Sequence, residues 1–378
     1  MTEHMPDDLD PTGHDLRELT DELRAGHRVV RNVRGEWVLL GHAEVVQAAV
    51  DPARFSSGVS AHLQVPNGLD GALHTEAREV LDRYLTPEAL APFEPAFRRI
   101  ARDLVASLRS GAEVEAVGDL GAVFAVRAQS AWLGWPASLE QRLLDWVVAN
   151  HAATRSGERP RMAAVAVDFD AIIREVLEPR RERPTDDVTS VLMADGWQGR
   201  PFSDEELVSI LRNWTGGDLG SIALCVGVIA WHLALDRELT ARLRSGVSDA
   251  ELDAVIDEIL RVDDPFTSNR RRTTCPVKVA GVEIPEGEVV KLHWTSANRD
   301  ETRFGPVFDP AAHAAHNLVY GIGPHVCPGR GLATMELRVF VQEFLAGTSD
   351  FVLGADAERE VHPVGGFRRV PIVVTGRA

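Results

Sequence analysis

Lysine is almost missing from this chain: Lys278 and Lys291 are the only two, so nearly all of its positive charge is arginine. That pattern matches a genomic base composition better than a functional demand. Cysteine is also scarce. Cys225, Cys275 and Cys327 are odd in number and far apart, so no disulfide framework is indicated and a reducing compartment is expected. Excess positive charge is lacking too. With 40 basic against 57 acidic residues the net charge is -17, which argues against a nucleic-acid partner and against adhesion to anionic membranes. The N-terminal stretch up to Arg24 is acidic and polar, with neither an apolar signal core nor a membrane-spanning run. A soluble, cytoplasmic protein is therefore expected, with residues 1–27 a loosely ordered segment.

What is present in quantity is apolar sequence. At 378 residues and 44% hydrophobic content the chain can bury a large core; the length suits two or three average domains or one large one, and no break in composition divides it. One stretch stands out: Tyr320-Gly-Ile-Gly-Pro-His-Val-Cys-Pro-Gly-Arg-Gly-Leu-Ala333, in which Cys327 is set among Gly321, Gly323, Gly329 and Gly331. Directly after it Leu332, Met335, Val339, Phe340 and Phe344 recur at helical spacing, so the cysteine sits where a glycine-rich loop enters a helix. Amides and the positive end of a helix stabilise a thiolate, and glycines let backbone N–H groups come close to it. Such a sulfur can be an iron ligand, a redox thiol or a member of a metal cluster.

The stretch resembles the haem-binding loop of the cytochrome P450 haem-thiolate monooxygenases, with Tyr320 where that family has Phe. The resemblance runs in order from about Val29 to Pro371. It implies a mainly α fold with small β-sheets in a single domain, haem b (iron protoporphyrin IX) as cofactor, and Cys327 as the metal ligand, flanked by Gly321 and Gly329. Haem would lie between the Cys327 loop and a helix carrying Asp218. His74 and Arg78, four apart and so on one helical face, fall on positions whose side chains bond haem propionates, and His325 reaches a propionate as well. Arg271 takes the third such position, with Arg270 and Arg272 as neighbours that leave the register open by one residue.

The apolar segment from about Asp204 to Leu235 carries Gly216, Gly217 and Gly220, each costing about 1 kcal/mol relative to alanine in a helix. Close packing is one reason to keep them, and a local opening of the helix for a small ligand is another. The segment resembles the family's central helix, which delivers protons to bound dioxygen, and Asp218 would belong to that route. Leu219 stands where the family has an alcohol-bearing threonine. Ser221 is about 200° further round the helix, and Thr215 is one substitute for the missing hydroxyl. Gly216, Leu219 and Phe266 would border the substrate.

Glu258 and Arg261, at i,i+3, read by default as a surface ion pair contributing under about 1 kcal/mol. By resemblance they are the family's E-x-x-R lock. A rival reading joins His313, His316, His325 and Cys327 as a zinc site. Hairpin strands are expected between Arg28 and Leu40, helices over most of Glu113 to Met193 with breaks near Gly134 and Ser156, and strands from Ser268 with a turn at Pro285 to Gly287. The expected function is oxidation of a small organic molecule in secondary metabolism or catabolism, with electrons from a ferredoxin or flavodoxin-type partner docking near Arg330. A peroxide-driven or substrate-assisted variant, and a haem carrier without turnover, are the alternatives.

Overall fold

The computed structural model describes residues 15–361 and 363–376, with the backbone alone of His4, Met5 and Arg377. The mainly helical class with small sheets is what it shows. The chain divides into two compact units, the first of residues 1–79, 257–328 and 361–365 and the second of residues 80–256, 329–360 and 366–378.

The first unit is built on a sheet ordered His4–Met5, Val29–Asn32, Trp37–Leu39, Val289–His293, Ser268–Thr273 and Phe55–Ser56. Val29 pairs with Leu39 across the expected hairpin. The Val289–His293 strand lies antiparallel to Ser268–Thr273, with Val290 opposite Arg271. Val29, Leu39, Phe55, Val290, Leu292 and Trp294 form its apolar core. Residues Leu16–Gly26, expected to be loosely ordered, form a helix instead. Asp15 caps it by accepting from the Arg17 N–H, and the buried Arg24 guanidinium donates to the Ser296 carbonyl at 2.9 Å and to the Arg299 carbonyl at 2.8 Å. A polar sequence can be tied down by one desolvated arginine, which composition does not reveal.

The second unit is organised on the helix Asp204–Leu235. Ser203 and Glu206 form a capping box at its start, as a Ser-x-x-Glu spacing allows. It is long and apolar enough to cross a membrane by composition, but 67% of its most apolar window is buried inside the protein. Packed on it are the helices Val123–Leu133, Glu140–Ser156 and Arg159–Glu182. The breaks fall where expected, at Gly134 and Gly157, both in the left-handed region. The helix Arg330–Gly347 also packs there, and against Glu94–Ala106. Glu113–Glu115, expected to open a helical run, is a strand beside Pro371–Arg377.

Candidate functional site

In the first unit the Cys327 loop closes on itself. The Cys327 N–H donates to the Tyr320 carbonyl at 2.9 Å and the Val326 N–H to the Gly323 carbonyl at 3.0 Å. Gly323 adopts φ +80° with the Ala49 carbonyl 2.9 Å from where a Cβ would sit, so no other residue fits. Arg78 braces the loop from outside, donating to the Pro324 carbonyl at 3.3 Å and the Val326 carbonyl at 3.0 Å. Cys327 itself is exposed, two residues before Gly329, the N-cap of the following helix.

Around the loop the polar groups converge. The His74 ring is buried, with its centroid 4.1 Å from that of His325. His325 Nε2 lies 3.0 Å from Ser57 Oγ and 3.2 Å from Asp70. Burial and the positive groups His74 and Arg271 push His325 down to about 4, so its ring is neutral at pH 7. Strand alternation separates the three neighbouring arginines: Arg271 is buried, while Arg270 and Arg272 are exposed. Among the described residues the one hydrogen bond of the Arg271 side chain goes to the Arg270 carbonyl, at 2.9 Å. Burial lowers its pKa, and attraction to Asp70 only partly offsets this. A desolvated guanidinium with no carboxylate in hydrogen-bond contact is a site for an anion.

Beneath these residues Glu258 and Arg261 are not at the surface. Their side chains are 1% and 5% exposed and joined by two 2.7 Å hydrogen bonds. His313 Nδ1 donates to Glu258 at 2.7 Å, and Arg261 lies 4.4 Å over the Phe304 ring. Burial raises the Glu258 pKa, but hydrogen bonds from Arg261 and His313 outweigh it and hold the carboxyl below its usual range. With His313 committed to Glu258 and His325 to Asp70 and Ser57, the zinc reading fails. No cluster of three or more candidate metal-binding side chains occurs among the described residues.

In the second unit the long helix is continuous through its glycines, so the expected opening of its backbone is absent. Gly220 serves close packing, whereas Gly216 has room for a Cβ in ordinary contact. A Cβ at Gly216 would stand 3.4 Å from Trp146, and one at Gly220 would stand 2.9 Å from His151 Nε2. Gly217 differs, being exposed with nothing within 4 Å of its Cβ position. Leu219 is fully buried. Thr215 is not a spare donor, because its hydroxyl is spent on the Leu211 carbonyl at 2.6 Å. Asp218 meets Glu336, from the helix Arg330–Gly347, carboxyl to carboxyl. Burial raises both acids above their usual range. Glu336 was not anticipated, although its place between Leu332 and Phe340 on one apolar helix face is a visible signal. Phe266, in the first unit, is 49% exposed and bridges to Val364.

The family model for cytochrome P450 matches residues 251–347, which contain the Glu258 lock, the Arg271 strand and the whole Cys327 loop. The chain is 28% identical to an erythromycin C-12 hydroxylase from Saccharopolyspora erythraea, over 93% of this chain and 92% of that one. It is 27% identical to the cyclomarin C epoxidase CymV of Salinispora arenicola, over 86% and 87%. Among solved structures, a mutant of P450 EryK in complex with erythromycin B superposes with a TM-score of 0.89 at 26% identity, covering 99% of each chain. The chain belongs to the bacterial-type cytochrome P450s. As a P450 it is a haem-thiolate monooxygenase, binding haem b through a cysteine thiolate, oxidising a small molecule and drawing electrons from a redox partner. The alternatives without dioxygen chemistry or without turnover are not favoured. The donors assembled in the first unit fit this cofactor: one thiol for the iron, and a buried arginine without a carboxylate partner for an acidic edge.

Proposed function

We propose that this P450 performs a tailoring oxidation, a hydroxylation or an epoxidation, on a bulky natural product of mainly apolar character. Support comes from the relatives, whose names describe an epoxidase and hydroxylases acting on cyclomarin C, erythromycin and methyl-branched lipids. The observation that carries the site is the buried Arg271 guanidinium, only partly offset by Asp70, beside His325 and His74 on the unit that bears Cys327. In this reading Cys327 ligates the iron, and Arg271, His74, Arg78 and His325 meet the propionates, with Gly321 and Gly329 shaping the loop. Bound haem would supply dioxygen activation, with thiolate donation favouring O–O cleavage.

The protein's own share is to bind, orient and manage protons. Arg271 and the neutral His325 donate hydrogen bonds to carboxylate without adding a second full charge. Arg78 holds the carbonyls of Pro324 and Val326, keeping the loop in one shape around its sulfur. Leu219 offers an apolar wall where an alcohol would hold water, and Thr215 keeps its proton on its own helix. Asp218 remains to move protons, and Gly216, Leu219 and Phe266 border the substrate. Electrons would come in the cytoplasm from a ferredoxin or flavodoxin-type carrier docking near Arg330.

The test is turnover of macrolide and cyclic-peptide substrates with dioxygen, a ferredoxin and its reductase. Oxygenated product carrying one atom from labelled dioxygen is expected. Product with peroxide and none with the reductase system would overturn the monooxygenase assignment for this site.

A further inference from the structure

Tyrosine is rare in this chain, with Tyr84 and Tyr320 against eight tryptophans, and Tyr84 stands at one end of a run of neighbouring aromatic rings in the second unit. Its ring centroid lies 5.5 Å from that of Trp214, on the helix Asp204–Leu235. Trp214 in turn lies 5.2 Å from Trp132, on the helix Val123–Leu133. Gln129 fixes the middle of the run by donating to the Trp214 carbonyl at 3.1 Å. Both indoles are buried, and among the described residues neither of their N–H groups has an acceptor. The phenol is the opposite case. Half-buried, Tyr84 donates its O–H to Asp195 at 3.0 Å, and the exposed Arg83 holds the same carboxylate oxygen at 3.0 Å. Burial, then the Asp195 charge, push the phenol above its usual range, so it keeps its proton at neutral pH.

Buried Trp side chains usually find a hydrogen-bond partner, and two unserved indole N–H groups cost stability that phenylalanine at either position would not. The arrangement suits oxidation instead. An indole that loses an electron with no base beside it keeps its proton, and the π-face of the next ring stabilises its positive charge. A phenol that loses an electron gives up its proton too, and Asp195 is in place to take it.

We propose that Trp214 and Tyr84 form a one-electron relay, with Trp132 steadying the indole cation and Asp195 receiving the phenol proton, which carries stray oxidising equivalents away from the long helix when no substrate takes them. None of the four residues is among those assigned to iron, propionates or substrate. The oxidant comes from the monooxygenase chemistry, since oxygen activation without substrate leaves oxidising power that attacks side chains. Trp214 gives up one electron to it. The Tyr84 O–H bond then breaks, its electron passing to the Trp214 indole and its proton to Asp195, which leaves a neutral phenoxyl radical and a carboxylic acid. A small-molecule thiol returns a hydrogen atom to the phenoxyl oxygen and becomes a thiyl radical, and Asp195 releases its proton to water. The thiol has then supplied the electron, and the relay is restored.

Freeze-quenched electron paramagnetic resonance of the haem-loaded enzyme, mixed with peroxide and no substrate, reads the relay without turnover. Wild type should give a phenoxyl signal that narrows with ring-deuterated tyrosine, persists in Tyr320→Phe and disappears in Tyr84→Phe. Azide radicals made by pulse radiolysis oxidise indoles without using the haem. Indolyl absorption should pass into phenoxyl absorption at a rate independent of protein concentration, about 100-fold more slowly in Asp195→Asn and not at all in Tyr84→Phe. Asp195→Asn keeps the comparison available if Tyr84→Phe does not fold. A thiol should lengthen the life of wild type a few-fold under oxygen and reductase without substrate and leave Tyr84→Phe unprotected, while product per electron pair at saturating substrate is the same in both.

A phenoxyl signal that survives in Tyr84→Phe, or wild-type indolyl decay with no phenoxyl growth, would overturn the proposal. Failure of the haem-thiolate reading is separable, since it shows in the reduced carbon-monoxide spectrum and leaves the radiolysis result standing.

Discussion

The polar cluster around Cys327 and the one around Asp218 meet the cost of burial in opposite ways. In the first, charges are divided among partners: Arg261 with Glu258, His313 with Glu258, His325 with Asp70 and Ser57. Among the described residues the Arg271 side chain makes no hydrogen bond to a carboxylate, although Asp70 attracts it. In the second, two acids meet with no base between them among the described residues, while the Thr215 hydroxyl is committed to its own helix and Gly220 to packing. The first cluster is built from fixed charge and backbone. In the second cluster burial without a counterion holds acids off their usual charge state.

Breaking the first cluster at its anchor should have the largest effect. Glu258→Ala would leave Arg261 and His313 buried without their partner and is expected to cost about 3–5 kcal/mol in unfolding free energy. A loss below about 1 kcal/mol would return the pair to the surface class. Next comes the exception within that cluster. Arg271→Met should weaken haem retention by about 1.5–3 kcal/mol, roughly 10- to 100-fold in affinity, while leaving the haem-free protein as stable as before or more so. Haem titration of both proteins, with unfolding of the haem-free forms, measures the two effects separately. Equal haem affinity would remove Arg271 from the site. The smallest effect is expected in the second cluster, where Leu219→Thr should raise product per electron pair by a few-fold. Unchanged coupling would show that another group already does the work of the missing hydroxyl.

The two clusters were also unequally legible in the sequence. The loop could be read almost residue by residue because its glycines and cysteine answer to local backbone geometry, and Gly323 against the Ala49 carbonyl is an instance. Strand parity was enough to set Arg271 inside and Arg270 and Arg272 outside once the Ser268–Thr273 strand was placed. Burial was not legible. Glu258 and Arg261 have the spacing of any exposed helix pair, and only the packing of Phe304, His313 and Asn298 around them makes the pair internal. The same blindness hid the Leu16–Gly26 helix, which Arg24 anchors through carbonyls more than 270 residues away. It hid Glu336 as well, since the partner that gives its charge state meaning lies over 100 residues earlier, at Asp218. For the long helix the sequence marked its bounds and its glycines but not the neighbour that Gly220 admits, His151.

The central claim is that Cys327 ligates a haem iron as a thiolate. The optical spectrum of the dithionite-reduced, haem-loaded protein under carbon monoxide tests it most directly, run beside Cys327→Ala. Wild type should show a strongly red-shifted Soret band, and the variant should lose that band while still binding haem. A wild-type protein without the shifted band, or a variant that keeps it, would contradict the ligand assignment and the monooxygenase chemistry that rests on it.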